Sequence, residues 1–159
     1  MATYQLDDVD KQLLNLLQEN ARYTAIELAE AIGVSDNTIH NRMRQLEEED
    51  VITGYTTTTD YDRTGLRLYF HFSCTARISE RADVAEQAMA MPQIIEVTEL
   101  MTGHENLHLK AVGAEDEDIT AIAEKLDNLP LEINDENLIR AEHMQPLDYV
   151  EVSERVSEE

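Results

Sequence analysis

Apolar residues recur through the first fifty positions at the spacing of one helix face. Leu6, Val9, Leu13, Leu16 and Leu17 share a side, while Lys11, Asn15, Gln18 and Glu19 point away. Asp7 and Asp8 suit the positive N-terminal end of that helix, and Asn20-Ala21-Arg22 ends it. Thr24 opens a second helix with Glu27 three residues on, a capping box in which hydroxyl and carboxylate each satisfy an orphaned backbone donor. Leu28, Ala29 and Ile32 form its buried stripe. Gly33-Val34-Ser35 then supplies a stop, an apolar plug and a hydroxyl able to cap a third helix. Ile39, Met43 and Leu46 are the core stripe of that helix, which runs into the acids Glu47 to Asp50. Val51 to Thr59 is rich in β-formers and reads as an exit strand, and Asp60 to Gly65 as a connector.

Beyond Gly65 the period changes from helical to alternating. Leu68, Phe70, Phe72 and Cys74 alternate with Tyr69, His71, Ser73 and Thr75, which predicts a strand over Leu66 to Ile78. Arg81 to Met91 reads as a helix stopped by Pro92. Ile94 to Met101 and Leu107 to Val112 form a hairpin, Asp116 to Leu129 a second helix, and Ile133 to Met144 a last, polar strand. The order βαββαβ is that of the ferredoxin-like split motif, so the expected class is α+β. Three segments follow: a helix-turn-helix with its exit strand over residues 1–60, a βαββαβ domain over 61–148, and a mobile acidic tail over 149–159.

Charge narrows the setting. Acids outnumber bases 34 to 12, for a formal charge of -22, and the lysines are Lys11, Lys110 and Lys125 alone. Carboxylates this dense and this evenly spread repel one another at low ionic strength, as on proteins of salt-loving organisms with a KCl-rich cytoplasm. Cys74 stands alone, so no disulfide framework exists and a reducing compartment is expected. No apolar run reaches the ~18–20 residues of a membrane helix, and no secretory h-region is seen, which predicts a soluble cytoplasmic protein.

Candidate chemistry lies on the third helix. Opposite Ile39 and Met43 stand Asn37, Asn41, Arg44 and Gln45, flanked by Thr38 and His40. Asn and Gln can bond adenine in a bidentate fashion and Arg guanine, which suits the major groove of double-stranded DNA. Ser35 and the helix N-terminus can hold a phosphate. Arg42, at the flank, suits a phosphate contact or an internal salt bridge. Residues 1–60 carry four cations against twelve acids, a net -8 that opposes DNA at low salt. Near 1 M salt the Debye length is only ~3 Å, so binding is expected to be best in molar KCl. His104-Glu105-Asn106-Leu107-His108 spells the zinc-peptidase string, but that chemistry needs a helix, and the alternation around Leu107 and Leu109 is a strand's. Four residues of strand span ~13 Å, too far for two ligands of one zinc. No cofactor motif, nucleophile triad or phosphate-binding Gly loop is present.

The run Leu6-Asp7…Asp10…Leu13-Leu14…Leu17…Ala21-Arg22…Glu27-Leu28-Ala29…Ile32-Gly33-Val34-Ser35…Arg42-Met43…Leu46-Glu47…Val51-Ile52…Gly54-Tyr55 resembles the Lrp/AsnC family, the leucine-responsive or feast/famine regulators, here with a haloarchaeal type of composition. Asp50 stands where that family usually has Gly. The resemblance implies a winged helix-turn-helix followed by a βαββαβ ferredoxin-like (RAM-type) domain for pairing and sensing. It implies a homodimer that assembles further, often to an octamer, with amino-acid-like effectors between dimers. The family's Gly-x-x-Asp hairpin motif corresponds here to Gly103-His104-Glu105-Asn106, so Thr102, Gly103, His104, Glu105 and Asn106 become the effector candidates. Asn106 replaces an Asp and can only hydrogen-bond an ammonium group. The alternatives are an architectural DNA wrapper, a tetrapyrrole-precursor decarboxylase and a metal-responsive regulator using His104, Glu105 and His108. The decarboxylase is disfavoured because the chain has no Trp and only two Phe.

Overall fold

In the computed structural model, which describes residues 3–157, the elements in order are α1 (Asp8–Glu19), α2 (Ala25–Ile32), α3 (Asp36–Glu48), β1 (Leu68–Ala76), α4 (Arg81–Met89), β2 (Ile94–Glu99), β3 (Leu107–Gly113), α5 (Asp116–Asp127), β4 (Leu131–Leu138) and α6 (Tyr149–Ser157). A short 3-10 turn, Asp62–Thr64, precedes β1. Two compact units result: one runs to Thr57 and resumes at His143, and the other is Thr58–Glu142.

The helical unit follows its sequence signals closely. Asp7 caps α1 in a box with Asp10, Thr24 caps α2 in a box with Glu27, and the Ser35 hydroxyl accepts from the Thr38 N–H. Gly33 stops α2 in the left-handed region at φ 85°, where a Cβ would be strained. Leu13, Leu14, Leu17, Leu28, Ala29, Ile39 and Leu46 make the core, with Met43 at its edge.

Two expectations change at the borders of this unit. Val51 to Thr59 is not a strand among the described residues. The Leu46 carbonyl instead accepts both the Val51 and Ile52 N–H groups, which turns the chain off the end of α3, and Thr53 to Asp60 is exposed. Strand propensity expresses itself only where a neighbour supplies hydrogen bonds. Asp50 makes the turn at φ 55°, the conformation a glycine takes most easily.

The acidic tail is not a loose end either. Asp148 accepts from the Val150 and Glu151 N–H groups and starts α6. Asn15 of α1 accepts from the Tyr149 N–H and donates to Asp148, at 3.0 and 2.9 Å, and Gln18 both donates to and accepts from the Leu147 backbone. Tyr149 packs against the helical core. Glu158 and Glu159 lie outside the described residues, as do Met1 and Ala2.

In the second unit four antiparallel strands take the order β2-β3-β1-β4. β1 and β2 are thus separated by β3, the split βαβ arrangement expected from the element order. Phe72, Cys74, Ala76, Leu107, Leu109 and Ala111 face α4 and α5, which bring Val84, Ala88, Ile119, Ile122 and Leu126. α5 approaches so closely that a Cβ on Gly113 would stand 2.9 Å from the Asp118 Cβ. The last strand begins and ends earlier than Ile133 to Met144. Its partner sets its length: Leu138 pairs with Phe70, Ile139 donates to the Tyr69 carbonyl at 2.7 Å, and β1 then runs out.

Candidate DNA-reading helix and the polar face of the sheet

The capped start of α3 fixes which side chains reach solvent. Ile39 and Leu46 are fully buried, so Ser35, Asn37, His40, Asn41, Arg44 and Gln45 are exposed, and Thr38 is half-buried. Thr38 also shares a 2.8 Å hydroxyl pair with Ser35, which ties it to the cap. The helix therefore presents a row of amide and guanidinium groups at its N-terminal two-thirds.

Arg42 does not belong to that row. Its guanidinium lies 2.7 Å from Asp7 and 3.4 Å from Asp10, so of the two roles open to it the structure shows the internal salt bridge. Asp10 is completely buried and also accepts from the Tyr4 hydroxyl and the Asp7 N–H, both at 3.2 Å. Burial alone would lower the Arg42 pKa, but the Asp10 and Asp7 carboxylates raise it. The Asp7 pKa is lowered, first by the hydrogen bond from the Asp10 N–H and, against its partial burial, by Arg42. A buried carboxylate is tolerable only when paired in this way. Sequence reasoning missed Asp10, although its place three residues after an N-cap Asp is itself a capping-box signal. At the other end of α3, Tyr55 donates to Glu47 at 2.8 Å, and burial with that hydrogen bond pushes its hydroxyl up to about 12.

The sheet face turned away from α4 and α5 carries most of the remaining polar chemistry. Tyr69, His71, Ser73 and Thr75 of β1 stand beside His108 and Lys110 of β3, Glu96 and Thr98 of β2, and Asp135 and Asn137 of β4. Lys110 binds Glu96 at 3.1 Å and also Glu142, which accepts from Tyr69. Burial would lower the Lys110 pKa, but its two carboxylate partners raise it. Ser73 donates to Glu105 at 2.5 Å. Cys74, on the opposite face, is buried in the core, and burial pushes its thiol up to about 12, so it is a packing residue.

The effector candidates separate into two groups. Thr102, Gly103, His104 and Glu105 are exposed on the hairpin loop, which turns at Gly103 with φ 102°. Asn106 is buried and faces inward. Its amide oxygen accepts from the Ala76 N–H at 3.0 Å, and its amide nitrogen donates to the Ala76 carbonyl at 2.8 Å. Asn fits because that task needs one acceptor and one donor, whereas a carboxylate has only acceptors. In the structure both polar atoms of Asn106 are thus engaged by Ala76 and fasten the loop to β1. Beside the loop an open cleft is lined by Thr75, Arg77, Glu80 and Glu132, and Thr75 donates to the His104 carbonyl at 3.0 Å.

The H-E-x-x-H string lies on this loop and on β3, with no helix. His108 is paired not with His104 but with His71 of β1, at 2.9 Å between ring nitrogens. The sequence could not announce His71 because only the β1–β3 register brings it there. Among the described residues no group of three His, Cys, Asp or Glu side chains is placed to hold a metal ion.

Residues 6–53 match the family model described as winged helix-turn-helix DNA-binding. The regulator AldR of Mycolicibacterium smegmatis, an HTH-type transcriptional regulator, is 33% identical over 115 residues, covering 70% of this chain and 67% of that one. Among solved structures, AsnC of Escherichia coli superposes with a TM-score of 0.79 at 19% identity, over 91% of this chain and 99% of that one. A Neisseria meningitidis transcriptional regulator in complex with L-Met superposes with a TM-score of 0.77 at 22% identity, over 90% and 96%. In that match the likeness runs through both units, sheet as well as helices.

Proposed function

The chain belongs to the Lrp/AsnC family of DNA-binding, helix-turn-helix transcriptional regulators, and from that premise we propose that it reads its operators with Asn37, His40, Asn41, Arg44 and Gln45 of α3. Ser35 and Thr38, at the capped start of the helix, contact phosphate. The observation that carries this assignment is the exposed polar row itself, from which the structure withdraws Arg42. Arg44 is then the one cation of α3 free to face a base, and Asn41 lies one turn from it and from Asn37.

The protein acts as a homodimer that assembles further, in keeping with its oligomeric relatives. A small effector binds in the sheet unit at Thr102, Gly103, His104 and Glu105. The neighbouring cleft, lined by both a cation (Arg77) and carboxylates (Glu80 and Glu132), suits a zwitterion of the amino-acid type. With net -8 over residues 1–60, the DNA-binding unit works in salt concentrated enough to screen its carboxylates, as in a KCl-rich cytoplasm.

Footprinting on genomic fragments tests the reading. Asn41→Ala and Arg44→Ala should each weaken operator binding by ~1–3 kcal/mol, the worth of a bidentate base contact, while sedimentation shows the assembly unchanged. Operator binding that survives both changes would place the reading surface elsewhere. Affinity should rise or hold between low and molar KCl, and a steady fall over that range would refute the salt argument.

A further inference from the structure

We infer that His71 and His108 form a two-histidine site for a divalent transition metal of the Cu(II) or Ni(II) class on the polar face of the sheet. Both sit on the two central strands, whose backbones are fixed by ladders on either side. In the β1–β3 register Ser73 opposes His108 and His71 opposes Lys110, so the imidazoles are diagonal neighbours on one face. His71 Nε2 lies 2.9 Å from His108 Nδ1, with ring centroids 4.9 Å apart and planes inclined at 57°.

That spacing selects a geometry. Two nitrogens each ~2.0–2.1 Å from one metal are about 2.9 Å apart when they subtend a right angle and about 3.3 Å apart at the tetrahedral angle. The pair therefore fits neighbouring corners of a square-planar or octahedral centre, the preference of Cu(II) and Ni(II), better than tetrahedral zinc.

The protons balance. In the neutral pair one of the two facing nitrogens carries N–H and the other accepts it. To bind metal, both must offer lone pairs, so the donor ring moves its proton to its other nitrogen and none is released. Water fills the remaining positions, since no third ligand completes the set among the described residues.

The surrounding charge favours a cation. Lys110, opposite His71, is tied to Glu96 and Glu142. Asp135 of β4 pairs with Ser73, and Glu105 of the hairpin loop accepts from it. Burial first, then His108 and Lys110, lower the His71 pKa, which favours the neutral ring with a lone pair to offer.

The test is calorimetric and optical titration of the full-length protein with CuCl2 or NiCl2 in molar KCl and excess Mg2+, which occupy the surface carboxylates. Binding of at most one ion per chain is expected, with ligand-field absorption of nitrogen coordination. His71→Gln and His108→Gln should each weaken it at least tenfold, while His104→Ala and His143→Ala leave it within twofold. The proposal fails if no such binding occurs, if His71→Gln leaves it intact, or if His104→Ala abolishes it. A readout on the unaltered protein guards against a misfolded variant. Lowering the pH from 7.5 to 5 should weaken the affinity at least tenfold, because protons compete with the metal for imidazole nitrogen, whereas an affinity unchanged at pH 5 would mean carboxylate ligands and overturn the assignment.

Discussion

The helical unit and the sheet unit satisfy their polar groups over different distances along the chain. In the helical unit the starts of α1, α2 and α3 are each sealed by a partner three residues away, at Asp7–Asp10, Thr24–Glu27 and Ser35–Thr38. In the sheet unit Asn106 reaches Ala76, Arg81 reaches the Leu100 carbonyl, and Lys110 reaches Glu142, separations of 30, 19 and 32 residues. Short-range pairs form with little loop entropy and report on one turn of helix. Long-range pairs need the loop closed first, and so report on the register of the whole sheet. Among α1 to α3 the exception is the Asp10–Arg42 pair, 32 residues apart; the docking of residues 147–149 on Asn15 and Gln18 closes longer distances still, and sequence reasoning found neither.

The sharpest way to set the units apart is to empty the sheet core. Phe72 is fully buried between β1 and the two helices, and Phe72→Ala should cost ~3–5 kcal/mol. Amide exchange should then accelerate across β1, β3, α4 and α5 while α1 to α3 keep their protection. Uniform acceleration would show that the units melt as one.

Next in size is the exception itself. Asp10→Ala should lower the stability of the helical unit by ~2–3 kcal/mol in chemical denaturation, because Tyr4, Arg42 and the Asp7 N–H lose a buried acceptor together. The half-exposed Arg42 keeps Asp7 and water, which holds the loss below that of an isolated buried charge. A loss under 0.5 kcal/mol would make the pair incidental.

Asn106→Asp probes the corresponding point in the sheet unit and adds a pH signature. At pH 7.5 a carboxylate would face the Ala76 carbonyl and cost ~1–3 kcal/mol. A buried carboxyl has its folded pKa raised above the ordinary ~3.9. The variant is therefore near wild type below that value, where the protonated group can donate to Ala76. Its deficit grows as pH rises towards neutrality. Melting curves at pH 4 and 7.5 that shift by the same amount would remove Asn106 from this role.

Smaller again is Asp50→Gly, which relieves a left-handed residue and should stabilise the helical unit by ~0.5–1 kcal/mol in the same denaturation assay.

The last contrast is in acid. The folded pKa of His71 is depressed, so its contribution is present above the ordinary value of 6.5 and lost as pH falls through the folded one. That of Asp7 is depressed from 3.8, so its contribution persists until pH falls below that value. Amide exchange against pH should show β1 and β3 loosening first, with α1 unaffected until more acidic conditions. The reverse order would break the distinction.

What the sequence determined by itself was everything carried by one period or one turn. The helix stripes, the Thr24–Glu27 box, the Gly33 stop, the Ser35 cap and the alternation from Leu68 to Cys74 all survive in the structure, as does the order of strands and helices. The polar row of α3 was legible for the same reason, because burying Ile39 and Leu46 leaves its residues no other direction. Tertiary structure alone decided the fates of groups whose partners lie far along the chain. It turned Arg42 inward to Asp10 and joined His108 to His71. It sent Asn106 to Ala76 and folded the acidic tail into α6 against Asn15 and Gln18. It also left Val51 to Thr59 without a ladder, since a β-former needs a neighbouring strand that its own segment cannot provide. The physical division is between interactions closed within a turn, which local composition encodes, and those closed by register and docking, which depend on every intervening residue folding first.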